Sequence, residues 1–163
     1  MKAIWKQKDE LHYVLELHET EVLELHYPKN QFENACTLHI GDKIYQISTS
    51  GFWKKNIQLK DEKGEQIALA KTESWRAHAM TLAIGDRVYQ LVLRNNPLAE
   101  WAILDGDETV LSYGLKAEKK EVGMHIHFGK EANNLVLHGL LWFLFHPIAK
   151  ENSNDYLLLL LTA

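Results

Sequence analysis

Apolar and polar residues alternate along the first part of the chain. Every second residue is apolar from Leu11 to Leu17, and the segment 22–27 repeats this pattern after Glu19-Thr20. A period of two is typical of a β-strand with one buried face and one face in water. The two segments therefore predict an antiparallel hairpin.

A β unit occurs twice in the middle of the chain. Residues 35–46 match residues 79–90 at eight of twelve positions, with a spacing of 44 residues. In both copies a Gly-Asp pair separates two short alternating runs, and glycine supplies the positive φ that a type II′ hairpin turn needs. We place the copies at about 35–78 and 79–122, because a self-match this dense indicates a repeated structural unit.

Each copy continues with a second hairpin. The turn Asp61-Glu62-Lys63-Gly64 lies between two apolar runs, and Asp105-Gly106-Asp107-Glu108 holds the corresponding place in the second copy. With further strands near 2–7 and 124–128, the chain contains roughly a dozen short antiparallel strands at a spacing of about 8–12 residues. That spacing favours a barrel or a sandwich.

The C-terminal region, about residues 131–163, breaks the alternation and predicts a helix. No charged residue occurs from Ala132 to Ala149, and the segment 135–146 is apolar on nearly every side. A helix that is apolar all round must be buried in protein or in lipid. A membrane span needs about 20 apolar residues, and this segment is shorter, so its length favours a buried core helix without a transmembrane span.

The sequence also predicts where this helix ends. Asn133 or Asn134 can cap its N-terminus, and Pro147 is expected to end it near Phe145 or His146. A second apolar run, residues 156–163, is compatible with a last strand or a short second helix, since periodicity does not separate the two. Either apolar segment is therefore a candidate for a central helix around which the strands close.

Two segments resemble the tubby C-terminal-like superfamily, which includes the LURP-one-related proteins and the phospholipid scramblases. Residues 51–68 have the order of its recurring hairpin: an aromatic residue, a basic stretch, an alternating strand, an Asp-x-x-Gly turn and a strand of small and apolar residues. Residues 154–161, in which Asp155 precedes an apolar run, resemble the end of such domains. In the second copy Pro97 stands where the first copy has Trp53.

This resemblance implies both a fold and a function. The implied fold is mainly β, an antiparallel barrel of about twelve short strands around a hydrophobic C-terminal helix, with residues 1–163 as a single tubby C-terminal-like domain. Tubby-like domains include phosphoinositide binders, and scramblase relatives act at membranes. We therefore expect a non-enzymatic binding module whose partner is an anionic membrane lipid or a protein.

Composition narrows the classes of function. The net charge of −4 over 163 residues gives no overall electrostatic attraction to an anionic membrane, and it argues against nucleic acid as a partner. The single cysteine, Cys36, cannot form a disulfide within the chain, and its repeat counterpart Met80 indicates a small apolar slot rather than a nucleophile. The N-terminus has no apolar stretch of a signal peptide, so we expect a cytoplasmic protein, peripheral to the membrane if it binds lipid.

One concentration of basic and aromatic residues lies in the first copy. Residues 35–78 carry seven basic and five acidic side chains. Each basic residue near an anionic membrane contributes about 1 kcal/mol to binding. The alternative interpretation is that these side chains form a solvated rim of the barrel, where neighbouring carboxylates offset their positive charge. The candidate ligand-binding residues are Trp53, Lys54, Lys55, Lys60 and Arg76.

Histidines supply the candidate metal ligands. His125 and His127 share one strand face, and a third donor from His138 or His146 would complete a zinc site. No cysteine or carboxylate spacing accompanies them, so ordinary surface or hydrogen-bonded histidines are favoured. The chain also lacks the common catalytic and phosphate-binding motifs, and no cofactor is expected. Two alternatives to a lipid- or protein-binding module stay open. One is a small-ligand or metal-binding protein or enzyme with a His-lined pocket, and the other is a purely structural interaction domain.

Overall fold

A computed structural model of the chain describes residues 1–30, 34–51, 55–73, 79–119, 121–152 and 159–162. This part contains thirteen strands and one helix. They are β1 (Lys2–Asp9), β2 (His12–Leu17), β3 (Thr20–His26), β4 (Ala35–Ile40), β5 (Lys43–Ser50), β6 (Asn56–Lys60), β7 (Gln66–Thr72), β8 (Ala79–Ile84), β9 (Arg87–Asn95), β10 (Ala99–Asp105), β11 (Glu108–Glu118), β12 (Glu121–Phe128), α1 (Leu135–Asn152) and β13 (Leu159–Thr162).

The first twelve strands form a continuous antiparallel meander. Each strand pairs with its neighbours in the chain, and the short β13 pairs with the free side of β1. β13 also contacts β12, so the sheet is a nearly closed barrel. The mainly β barrel of about twelve short strands is therefore confirmed.

Alternation decides which face of each strand points inward. Across β2 and β3, Tyr13 pairs with Leu25 and Leu15 pairs with Leu23, and all four side chains are buried. A β-bulge after Leu15 shifts the register by one residue towards the connecting turn. The turn therefore lies at positions 18–19, one residue earlier than the alternation indicated, and both of its residues have positive φ.

Glycine and aspartate form the hairpin turns of the middle strands. Gly41 and Gly85 have φ values of 57° and 59°, as the first position of a type II′ turn requires. In the longer turn, Asp61 Oδ1 accepts hydrogen bonds from the backbone N–H groups of Lys63 and Glu65, each at 2.9 Å. Both kinds of turn were predicted from the residues they contain.

β4 and β8 begin 44 residues apart, and their pairings correspond. Cys36 pairs with Ile47, and Met80 pairs with Leu91, all of them buried. Burial raises the pKa of the Cys36 thiol well above its usual value, which suppresses the nucleophilic thiolate. The interpretation of Cys36 as a small apolar core residue is therefore confirmed.

The helix α1 passes through the barrel. The seven consecutive residues from Leu137 to Phe143 are buried, and seven positions cover nearly two turns, so every side of the helix is enclosed. A Cβ added to Gly139 would lie 2.6 Å from a Leu38 methyl carbon on β4, so glycine permits this close approach. The helix supplies the core that the strands enclose.

The predicted N-terminal cap is observed at Asn134. Its Oδ1 accepts a hydrogen bond from the Leu137 backbone N–H at 3.3 Å. The predicted C-terminal end near Phe145 or His146 is wrong, since α1 continues through Pro147 to Asn152. Proline removes one intrahelical donor, but the following turn still packs on the barrel wall through the buried Ala149, which offsets that loss.

The alternative between the two apolar segments is also resolved. The central helix is α1, and residues 159–162 of the second segment form β13. Within the described ranges, no helix combines the length and apolarity needed to cross a membrane.

Candidate functional site

The two ends of the barrel carry different charges. Because consecutive strands are antiparallel, the turns 18–19, 41–42, 61–65, 85–86 and 106–107 meet at one end, where segment 129–134 leads into α1. These segments contain eight carboxylates and two lysines, and we call this the acidic end. The described loop residues of the opposite end contain two carboxylates, Glu10 and Glu73, and three lysines, Lys29, Lys55 and Lys119.

A cleft of about 730 Å³ opens at the acidic end, beside the start of α1. Its floor includes apolar residues of β7 and β8, and Glu131 lies in its wall. The Glu131 carboxylate accepts hydrogen bonds from Arg87 Nη1 at 2.8 Å, Tyr89 Oη at 2.9 Å and Asn134 Nδ2 at 3.2 Å. The cleft lining consists of Gln66, Ile67, Ala68, Ala83, Ile84, Gly85, Asp86, Arg87, Tyr89, Glu131 and Asn134.

The polar groups of this cleft hold one another in place. Hydrogen bonding to Tyr89 and the charge of Glu131 raise the pKa of Arg87, so its guanidinium is permanently charged. Burial is the main cause that raises the pKa of Tyr89, so its hydroxyl stays a neutral donor. The cleft therefore presents fixed donors and acceptors that are hydrogen-bonded to one another.

A chain of buried hydrogen bonds joins the barrel wall to the helix. Trp5 Nε1 donates to Tyr113 Oη at 3.1 Å, and Tyr113 Oη lies 2.6 Å from His138 Nδ1. His138 Nε2 in turn lies 2.7 Å from the Ala132 carbonyl oxygen, which can only accept. Burial lowers the pKa of His138, so the ring is neutral, with its proton on Nε2. These hydrogen bonds satisfy the polar side-chain groups of Trp5, Tyr113 and His138 and fix the depth of α1 in the barrel.

The structure does not bring the expected zinc ligands together. His125 and His127 lie on the outer face of β12, where they pair with Gly114 and Ser112. His138 is enclosed in the barrel with both ring nitrogens hydrogen-bonded, and His146 is buried in the interior as well. In the described part of the chain, no three histidine, cysteine or carboxylate side chains are grouped as a metal site requires.

The structure describes only two of the five candidate ligand-binding residues. Trp53, Lys54 and Arg76 lie outside the described residues. Lys55 and Lys60 are exposed. Lys55 precedes β6 and Lys60 is its last residue, so they lie towards opposite ends of the barrel, about 17 Å apart at the usual rise per strand residue. Lys60 therefore belongs to a different surface from Lys55, and a single patch cannot contain both.

A buried carboxylate that sequence reasoning missed lies on the outer face of β10. Glu100 accepts hydrogen bonds from Ser112 Oγ at 2.5 Å, Arg94 Nε at 2.8 Å and Asn96 Nδ2 at 3.1 Å. Burial raises the pKa of Glu100, but the hydrogen bonds from these three donors lower it by more. The pKa of this carboxyl therefore lies below its usual value. Gly114 leaves room for this side chain, because an added Cβ would lie 3.2 Å from Glu100.

A second missed feature is a row of histidines on the outer faces of β2, β3 and β4. The ring centroids of His12 and His26 are 4.2 Å apart, and those of His26 and His39 are 4.6 Å apart. His12 and His26 are directly paired across β2 and β3. The sequence signal was weak, because a bulge at Val22 in β3 decides this pairing. We call His12, His26 and His39 the histidine row.

Comparison with known proteins does not assign a role to these features. Comparisons with family models, with curated protein sequences and with solved structures each found no match. The resemblance to the tubby C-terminal-like superfamily therefore stays a prediction.

Proposed function

We propose that this protein is a non-enzymatic binding module that uses its outer surface and its two ends. The observation that carries this proposal is the enclosed helix, which is buried from Leu137 to Phe143 and occupies the space where many barrels hold a ligand. A ligand must then bind outside the barrel. The polar groups at the acidic end have the fixed, mutually satisfied geometry of a binding surface.

The partner that we propose is an anionic lipid surface, met by the end of the barrel that carries Lys55. The charge difference between the two ends supports this orientation. An anionic surface repels the eight carboxylates of the acidic end and attracts the opposite end, where Lys29, Lys55 and Lys119 outnumber the described loop carboxylates. The neighbouring Lys54 adds one more positive charge to the same loop in the sequence.

Flotation with liposomes of neutral lipid, with and without anionic lipid, tests this function. The double variant Lys54→Glu/Lys55→Glu removes two lysines that contribute about 1 kcal/mol each, so we expect at least about 30-fold weaker binding to anionic vesicles. The matched control Lys43→Glu/Lys63→Glu makes the same change in net charge at the acidic end, where both lysines are exposed. The control should bind as the unaltered protein does.

Two results would contradict the lipid proposal. One is the absence of binding to anionic vesicles at low salt, where surface electrostatics are strongest. The other is an equal loss in both double variants, which would mean that net charge alone matters and not the orientation. A partner of another class, such as a protein, would then have to be sought for the same surface.

A further inference from the structure

The cleft at the acidic end lies where the pairing of two strands stops. The ladder between β7 and β8 ends at Ala68 and Ile84, and the two strands lead from there into separate turns. Glu131 and Asn134, from the segment before α1, close one side of the opening. Its volume of about 730 Å³ is typical of small-molecule sites, which commonly measure about 300–1,000 Å³.

The internal repeat shows that the architecture does not require this opening. One repeat further along the chain, the pair equivalent to Ala68 and Ile84 is Leu111 and Phe128. Ala68 and Leu111 are equivalent because their partners on β6 and β10 are 44 residues apart. Leu111 and Phe128 pack against the hydrophobic core and fill their place in the wall. The smaller pair in the first copy leaves an apolar floor uncovered.

Polar groups beside this floor retain hydrogen-bonding capacity. Arg87 donates to Tyr89 and Glu131 through Nη1, and its Nε and Nη2 form no hydrogen bond with the described residues. The Arg87 side chain is 62% exposed, and the planar fork of a guanidinium suits a carboxylate. Glu131 Oε2 accepts one hydrogen bond from the described part of the chain, from Asn134, and the Asp86 side chain is exposed. The cleft therefore offers groups for an anion and for a cation side by side.

The surroundings restrict the net charge of a ligand. The eight carboxylates of the acidic end repel a simple anion, and a simple cation must compete with Arg87 for Glu131. A zwitterion carries no net charge and supplies one group for each partner. We propose that the cleft binds an α-amino acid with an apolar side chain. Its carboxylate binds the free edge of Arg87, its ammonium group binds Glu131 and Asp86, and its side chain lies on the apolar floor.

Calorimetry with L-leucine and two matched analogues tests this class of ligand. Isoamylamine is leucine without its carboxylate, and isocaproate is leucine without its amino group. Each analogue lacks a hydrogen bond between charged groups, so each should bind at least about tenfold more weakly than leucine. The proposal is overturned if leucine does not bind, or if either analogue binds as tightly as leucine does.

Two variants with a matched control locate the site. Arg87→Gln removes the partner of the carboxylate and should weaken leucine binding at least about tenfold. Lys43→Gln changes the repeat counterpart of Arg87, which is also exposed at the acidic end, and should bind leucine as the unaltered protein does. Ala68→Leu introduces the side chain that Leu111 supplies in the second copy, so it should abolish leucine binding without lowering the melting temperature.

The variants also define the results that contradict this site. Equal losses of affinity in Arg87→Gln and Lys43→Gln would mean that leucine binds elsewhere, and so would undiminished binding in a folded Ala68→Leu. If Ala68→Leu does not fold, the comparison of the two exposed positions decides alone. The cleft lies at the opposite end of the barrel from the proposed lipid surface, so liposome flotation and leucine binding can fail independently of each other.

Discussion

His138 and His146 are buried imidazoles on α1, and each is hydrogen-bonded to a tyrosine of the barrel wall. His146 Nε2 lies 2.8 Å from Tyr13 Oη. Burial lowers the pKa of His146 to about 4, and the charge of Lys150 adds to this effect. The ring is therefore neutral in the folded protein over a pH range in which an unfolded histidine is protonated.

This difference predicts how stability depends on pH. Between about pH 6.5 and pH 4 the unfolded chain binds a proton at His146 that the folded chain does not bind. The free energy of unfolding should therefore fall as the pH falls, by about 3 kcal/mol from this residue between pH 7 and pH 4. His146→Gln keeps a polar partner for Tyr13 but cannot titrate.

Urea unfolding at a series of pH values checks this prediction. The decrease between pH 7 and pH 4 should be about 3 kcal/mol larger in the unaltered protein than in His146→Gln. The control His127→Gln removes an exposed histidine and should follow the unaltered protein. Parallel curves for all three proteins would mean that His146 is already solvated or charged in the folded state.

Single residues also show why the site was harder to predict than the fold. Cys36 could be interpreted from its repeat counterpart, since burial follows directly from an apolar pattern. The pairing of His12 with His26 depends on the bulge opposite Leu15, and no local sequence pattern predicts a bulge. The donors around Glu100 come from β9, from the loop after it and from β11, so their meeting is a tertiary property.

Among the secondary elements, α1 departs most clearly from the sequence prediction. The strands and their turns follow from local alternation and from glycine, which act within a few residues. The end of the helix depends instead on the barrel, because the turn after Pro147 packs through Ala149 on the enclosing wall. Tertiary burial here outweighs the local preference of proline.

The variant Pro147→Ala tests this helix extension. Alanine restores an intrahelical donor within a continuing helix, so the free energy of unfolding should rise, by up to about 3 kcal/mol. The control Pro28→Ala, at an exposed loop position, should lower it by about 0.4–1 kcal/mol because the unfolded chain gains freedom. Chemical unfolding measures both. A helix that ended before Pro147 would make the two variants behave alike.

The whole molecule is closed by its last strand. β13 pairs with β1 from Lys2 to Trp5 and also contacts β12, so it lies across the gap between the two ends of the meander. Without it, β1 and β12 would both present unpaired backbone groups, and exposed edges of this kind favour association between molecules.

Deletion of residues 153–163 should therefore produce dimers or aggregates and a lower unfolding free energy. Size-exclusion chromatography combined with urea unfolding measures both effects. Deletion of residue 163 alone is the control, because it leaves all four β13 pairings to β1 in place. A truncated protein that stays monomeric and equally stable would mean that β13 does not close the barrel.

The charge difference between the two ends is also a property of the whole molecule. The acidic turns are spread along the chain from Glu19 to Glu131, and no single segment has an unusual charge. Only the antiparallel meander, which sends every second connection to the same end, gathers them. The sequence could reveal this difference only after each turn had been assigned to an end of the barrel.

The enclosed helix has a consequence for the order in which the chain folds. A helix with its side chains is about 10–12 Å wide and cannot enter a barrel whose wall is already closed. Trp5 and Trp142 stack at a centroid distance of 4.3 Å, although 137 positions separate them in the chain. During synthesis, the barrel therefore cannot close until the final segment, which supplies both the core helix and the closing strand, has been made.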